Sequence, residues 1–217
     1  MRLLCALFCV CHCAFGYQID VAGGIMHQSS DNTSGYFKGG NDLATLSATL
    51  QTPLFSNFFG HTQYLSSINK QQTNDGRDVS FTDISFHIHN HASWTTFHID
   101  PYIGIGIFSR KLHDSDEVTN QPYLPIGLES TIYNDHTHHL KAYIQEDVFF
   151  FKPSANQMGP FNLLNSKTRL GVGYSIQDWS FKTGIVLSSI NQRSGALDGS
   201  FTKGIEAQIQ YSWTSTS

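Results

Sequence analysis

The chain has 217 residues, enough for one large all-β domain or two small ones. Asp, Glu, Lys and Arg make up only 14% of it, against about 25% in an ordinary soluble domain, while aromatics reach 13%. A net charge of −4 and the lack of any basic run argue against a nucleic-acid partner.

The first sixteen residues, "MRLLCALFCVCHCAFG", carry one positive charge at Arg2, then an apolar run from Leu3 to Val10. Ala14 and Gly16 stand at −3 and −1 of a cleavage site, so residues 1–16 read as a secretory signal peptide. The run is too short to span a bilayer as a helix. Cys5, Cys9, Cys11 and Cys13 are the only cysteines. The mature chain then has none, and neither disulfides nor thiolate-bound metals are expected.

Beyond residue 16 the hydrophobic pattern has period two, the spacing of side chains on one face of a strand. Ten segments follow in order, near 17–28, 42–52, 59–69, 79–90, 94–110, 121–133, 138–151, 167–177, 180–192 and 200–213. In "LATLSATLQ", Ala44, Leu46, Ala48 and Leu50 alternate with Thr45, Ser47, Thr49 and Gln51. In "KGIEAQIQYSW", Ile205, Ala207, Ile209, Tyr211 and Trp213 alternate with Glu206, Gln208, Gln210 and Ser212. Four connections are short ("TPLFSNFF", "NHAS", "NDHT", "QDW"), and they interleave with five longer polar ones. Long loops therefore gather at one end and short turns at the other.

This is the layout of an all-β, up-and-down antiparallel transmembrane β-barrel of ten strands, with eight as the alternative count. Segments of this length fit a tilted membrane crossing, whereas soluble strands average about 5–6 residues. The apolar face is expected to meet lipid and the polar face the lumen. A soluble barrel would need the reverse. Phe58, Phe59, Trp94, Phe149, Phe150, Phe151, Trp179, Tyr211 and Trp213 crowd the segment ends, as interfacial girdles require.

On this pattern the stretch 17–213 resembles the small outer-membrane β-barrel proteins of Gram-negative bacteria. Tyr211 and Trp213 fit the aromatic residue on which their last strand ends, leaving 214–217 as a tail. The resemblance implies a monomer in the outer membrane, in contact with its lipid and lipopolysaccharide and inserted by the outer-membrane assembly machinery.

Strand alternation also selects the lumen. It sends Asp20, Asp83, Asp100, Glu129, Asp147 and Glu206 inward, with Lys141, Arg169 and Lys182. Buried charges must pair, so a salt-bridged, closed or narrow interior is expected. Glu146 falls on the lipid face, which calls for a bulge or a place near the interface.

Ten histidines remain after the leader, and eight lie near short turns. His87 and His89 face inward, as does His98 on the next segment, and imidazoles two apart on a strand are candidate metal ligands. No carboxylate or Cys motif anchors them, so no metal or other cofactor is expected. "His91-Ala92-Ser93", with Asp100 as acidic partner, has the His-x-Ser spacing of lipid A deacylases. It falls in a short turn, on the side away from the lipid A of the outer leaflet.

The expected function is a non-enzymatic, porin-like barrel with a structural or surface-interaction role. A narrow channel for small solutes and a lipid A-modifying enzyme are the alternatives. The longest loop, "KPSANQMGPFNLLNSK", offers Met158, Phe161, Leu163 and Leu164 as a constriction or partner surface.

Overall fold

A strand leaves N–H and C=O groups unpaired at its edges, and a ring of strands removes the edges. The chain takes that solution. The computed structural model describes residues 16–30, 41–72, 78–94, 97–113, 118–135, 137–150, 166–190 and 200–215. Ten long strands follow one another: β1 (Tyr17–Ser30), β2 (Asn41–Phe55), β3 (Phe58–Ser67), β4 (Asp78–Asn90), β5 (Phe97–Leu112), β6 (Val118–Asn134), β7 (His138–Phe149), β8 (Ser166–Ile176), β9 (Trp179–Ile190) and β10 (Ser200–Ser215). Each pairs antiparallel with the next, and β1 pairs with β10 to close the ring.

The register fixes the shape. Stepping from partner to partner, Gln18 leads to Gln51, His61 and His87, then through Asp147, Lys167 and Ser188 to Thr202. Thr202 lies opposite Ser30, so one circuit returns twelve residues up β1 from its start. That stagger tilts every strand against the barrel axis.

The outward face is apolar on every strand. Ile25, Leu46, Tyr64, Ile84, Ile105, Ile126, Ile144, Leu170, Ile185 and Ile205 are all exposed, Ile25 by 66% and Ile105 by 67%. A continuous band of this kind is untenable in water and matches hydrocarbon. A closed ring with this band is the architecture of an outer-membrane β-barrel. At the short-turn end the band is rimmed by ring pairs, Phe55–Phe58 at 4.8 Å and Trp179–Tyr211 at 4.9 Å, with Trp213 beside Tyr211 at 4.7 Å.

The turns explain themselves locally. Ser56–Asn57 and Gln177–Asp178 are two-residue hairpin turns, and Ser56 (φ 47°) and Gln177 (φ 53°) take the left-handed backbone such turns require. Of the stretch expected as the turn "NHAS", Asn90 ends β4, and Ala92 and Ser93 are again strand beyond a break at His91. Ala92, Ser93 and Trp94 pair with Ile99, His98 and Phe97 in the same register as β4 with β5. The ladder breaks between them because Pro101, opposite Asn90 in that register, has no N–H to donate. The last strand also runs past residue 213. Thr214 lies opposite Gln18 and Ser215 opposite Tyr17, so two residues of the expected tail complete the seam.

Two expectations for aromatic residues are corrected. Phe149 points inward, buried against Tyr123 at 5.2 Å, because its position in β7 falls on the lumen side. Phe59 likewise turns inward, edge-on to His91 at 4.4 Å. Phe151, the apolar residues of the longest loop and residues 1–15 of the expected leader lie outside the described residues.

Candidate functional site: the barrel interior

Among the described residues the interior has two halves. Toward the long loops it is filled. Met26, Leu43 and Val186 form a buried cluster with Phe81 packed on it, and Phe81, Phe108 and Phe149 continue the packing at 5.5 and 6.2 Å. Toward the short turns it opens into a polar vestibule of about 390 Å³. Its floor reaches Tyr102, Tyr143 and Arg169, and its rim includes Gln177, Asp178 and Thr214.

Three tyrosines divide the halves, and glycines on the neighbouring strands make room for them. Tyr102 lies opposite Gly127 and Tyr123 opposite Gly106 across the β5–β6 pair, and Tyr143 lies opposite Gly171 across β7–β8. A Cβ on Gly127 would sit 2.1 Å from Tyr102 Cζ, so the ring occupies the space a side chain would need. Each hydroxyl then reaches a fixed acceptor. Tyr102 donates to Gln145 Oε1 (2.8 Å), Tyr123 to Asp83 Oδ1 (2.7 Å) and Tyr143 to Glu206 Oε1 (3.0 Å).

The structure places Asp83, Asp100, Glu129, Lys141, Asp147, Arg169, Lys182 and Glu206 on the inner face, with Asp20. It does not join them into one salt-bridged network. Lys141 Nζ donates to Glu129 Oε2 at 3.3 Å, and Arg169 stands 3.9 Å from Asp147, which is only 1% exposed. Asp100 meets the His91 imidazole, and the other acids are held, alone or in addition, by amide and phenol donors. Gln145 Nε2 donates to Asp147 (2.6 Å) and Gln18 Nε2 to Asp20 (2.8 Å), besides the tyrosine contacts above. Amides and phenols fill this role because hydrogen bonds satisfy a buried carboxylate as a counter-charge does. Lys167 shares the inner face, its Nζ 5.8 Å from the Phe108 ring centre. Sequence reasoning missed it, although it is two residues before Arg169 on the same strand. Glu146 does lie outward, without a bulge in β7. Thr168 on β8 donates its hydroxyl to Glu146 Oε2 at 2.5 Å.

The histidines form a stack, not a ligand set. His61 and His89 lie ring on ring at 3.7 Å, His89 and Tyr102 at 4.4 Å, and His87 and Tyr102 at 5.3 Å. The Nε2 atoms of His61, His87, His89 and His91 are buried without a hydrogen-bond partner. His98 is exposed at the rim, away from the stack. Among the described residues no group of three His, Cys, Asp or Glu side chains is arranged to hold a metal ion. His61 was not singled out from sequence, because only the register opposite His87 brings β3 to this wall. His91 Nδ1 lies 3.2 Å from Asp100 Oδ1, which forms the expected acid–imidazole pair at the short-turn end.

No protein-family model matches the chain, and no curated protein matches it. Solved structures do. The translocator domain of the autotransporter NalP from Neisseria meningitidis aligns over 97% of this chain and 93% of its own, at 8% identity and a TM-score of 0.45. Neisserial surface protein A (NspA) aligns over 90% of this chain and 96% of its own, at 9% identity and a TM-score of 0.43. The outer membrane protease OmpT from Escherichia coli aligns over 92% of this chain and 96% of its own, at 8% identity and a TM-score of 0.44. At these values the likenesses assign no role to this chain.

Proposed function

We propose that the chain is a non-enzymatic integral β-barrel of a Gram-negative outer membrane, with residues 1–16 as its export signal. Its interior is blind, closed toward the long loops and open as a vestibule toward the periplasm. Its work is done as a membrane component and through its external loops. The observation that carries this reading is the closed ring with an exposed apolar residue on all ten strands around a polar, charged inner face. Such a ring leaves no strand edge for a second copy, which supports a monomer. Its direct partners are the lipid and lipopolysaccharide around it and the assembly machinery that inserts it.

The test is heat-modifiability. Residues 17–217 refolded into detergent are expected to run faster unboiled than boiled on a denaturing gel, with a β-type circular dichroism spectrum. A chain that stays monomeric and folded in buffer without detergent sinks the reading.

A further inference from the structure

The vestibule wall made by β7, β8 and β9 contains a notch. Gly173 of β8 lies opposite Lys141 of β7 on one side and Lys182 of β9 on the other, and all three face inward. Glycine gives the middle strand no side chain there, and a Cβ on it would touch Lys182 Cγ at 3.4 Å. Two cationic stems therefore flank bare backbone. On the short-turn side of the notch the hydroxyls of Ser175 and Ser180 meet at 2.7 Å. Four residues along β8 on the other side is Arg169, whose Nε is buried without a partner.

The acids nearby are already engaged. Glu129 is held by Lys141, Glu206 accepts from Tyr143, and Asp20 accepts from Gln18. Lys182 feels the field of Glu129, but among the described residues no hydrogen bond or ion pair within 4.0 Å ties it down. Lys141 is thus committed to Glu129, while Lys182 faces the same half-open recess with donors to spare, beside a lining that also holds Asp20, Asp178 and Glu206. There an anion gains more from a charge-assisted contact than it would at an open surface.

We propose that this notch is a binding site for the carboxylate or phosphate group of a small anion entering from the short-turn side. Lys182 is the principal contact, Lys141 the second, and the backbone at Gly173 the seat. A vestibule of about 390 Å³ is large enough for a small organic anion and too small for a folded partner. The proposal rests on the blind-barrel reading above.

The experiment is calorimetric titration of the refolded chain in uncharged detergent at low salt, with inorganic phosphate and succinate in separate arms and chloride at matched ionic strength as the blank. Binding with a Kd of about 1 mM or tighter is expected in at least one arm. The arm that responds identifies phosphoryl or carboxyl chemistry. Lys182→Gln should weaken it about tenfold, and Lys182→Arg should restore most of it. Lys70→Gln, at an exposed lysine paired with Asp78 at the long-loop end, should leave it unchanged. No heat beyond the chloride blank up to about 10 mM in either arm, or equal binding by Lys182→Gln, overturns the proposal. Each variant is first shown to be heat-modifiable. A heat-modifiable chain that binds neither anion refutes the site and leaves the barrel standing, whereas loss of heat-modifiability in the parent chain refutes the barrel itself.

Discussion

At the scale of single residues, the turn between β6 and β7 shows how one carboxylate closes a hairpin. Asp135 Oδ1 accepts the backbone N–H groups of Thr137 (2.8 Å) and His138 (2.6 Å), and Oδ2 accepts the Tyr133 hydroxyl (2.8 Å). These bonds stabilise the ionised form and hold its pKa at about 2, below the ordinary 3.8, with the Thr137 and His138 amides as the leading causes. A folded-state pKa below the unfolded one stabilises the fold above the unfolded value, and the effect is lost as pH falls through the folded one. Asp135→Ala should therefore lower the unfolding midpoint at neutral pH. The gap to the parent chain should close between about pH 4 and pH 2. Parallel denaturation series in detergent measure it, and a gap independent of pH would remove the carboxylate from the account.

At the scale of strands, the glycine and tyrosine partners act as fitted pairs. Gly127→Ala would put a Cβ on the Tyr102 ring, displacing it from Gln145 and from its stack with His89. Overpacking of this kind costs about 1–3 kcal/mol. Gly23, with nothing within 4 Å of its Cβ position, is the internal control, and Gly23→Ala should be neutral or stabilising by about 0.5–1 kcal/mol. Urea unfolding of the two variants separates them. Equal midpoints would mean that Tyr102 moves aside freely. These pairs were not legible in the sequence. Alternation puts Tyr102 and Gly127 on the inner face, but only the register of β5 against β6 sets them side by side. The strands themselves were legible, because their two faces meet two different solvents. Boundaries shifted where a local rule intervened, at Pro101 and at the β1–β10 seam.

At the scale of the whole molecule, the filled half of the interior decides transport. Met26, Leu43, Val186 and Phe81 pack together inside the half toward the long loops, so the parent chain is expected to carry no steady current in planar bilayers. Long-lived, regular conductance steps would show that this packing opens and would favour the narrow-channel alternative. The vestibule is unaffected by that result, since it opens at the other end.

The all-β class, a count of ten strands with eight still open, the sorting of long and short connections to opposite ends, and the inward direction of Asp83, Asp100, Glu129, Lys141, Asp147, Arg169, Lys182 and Glu206 were readable in the sequence. All of these follow from period two and from turn composition, which are properties of one strand at a time. Which of those groups meet depends on the assembled ring. A stagger of twelve residues places partners from strands far apart in the chain, so tyrosines and amides hold most of the carboxylates. The same stagger stacks His61 on His89 and sets Lys182 beside Gly173. Register is a sum over every turn and bulge around the ring, and no single segment of the sequence contains it.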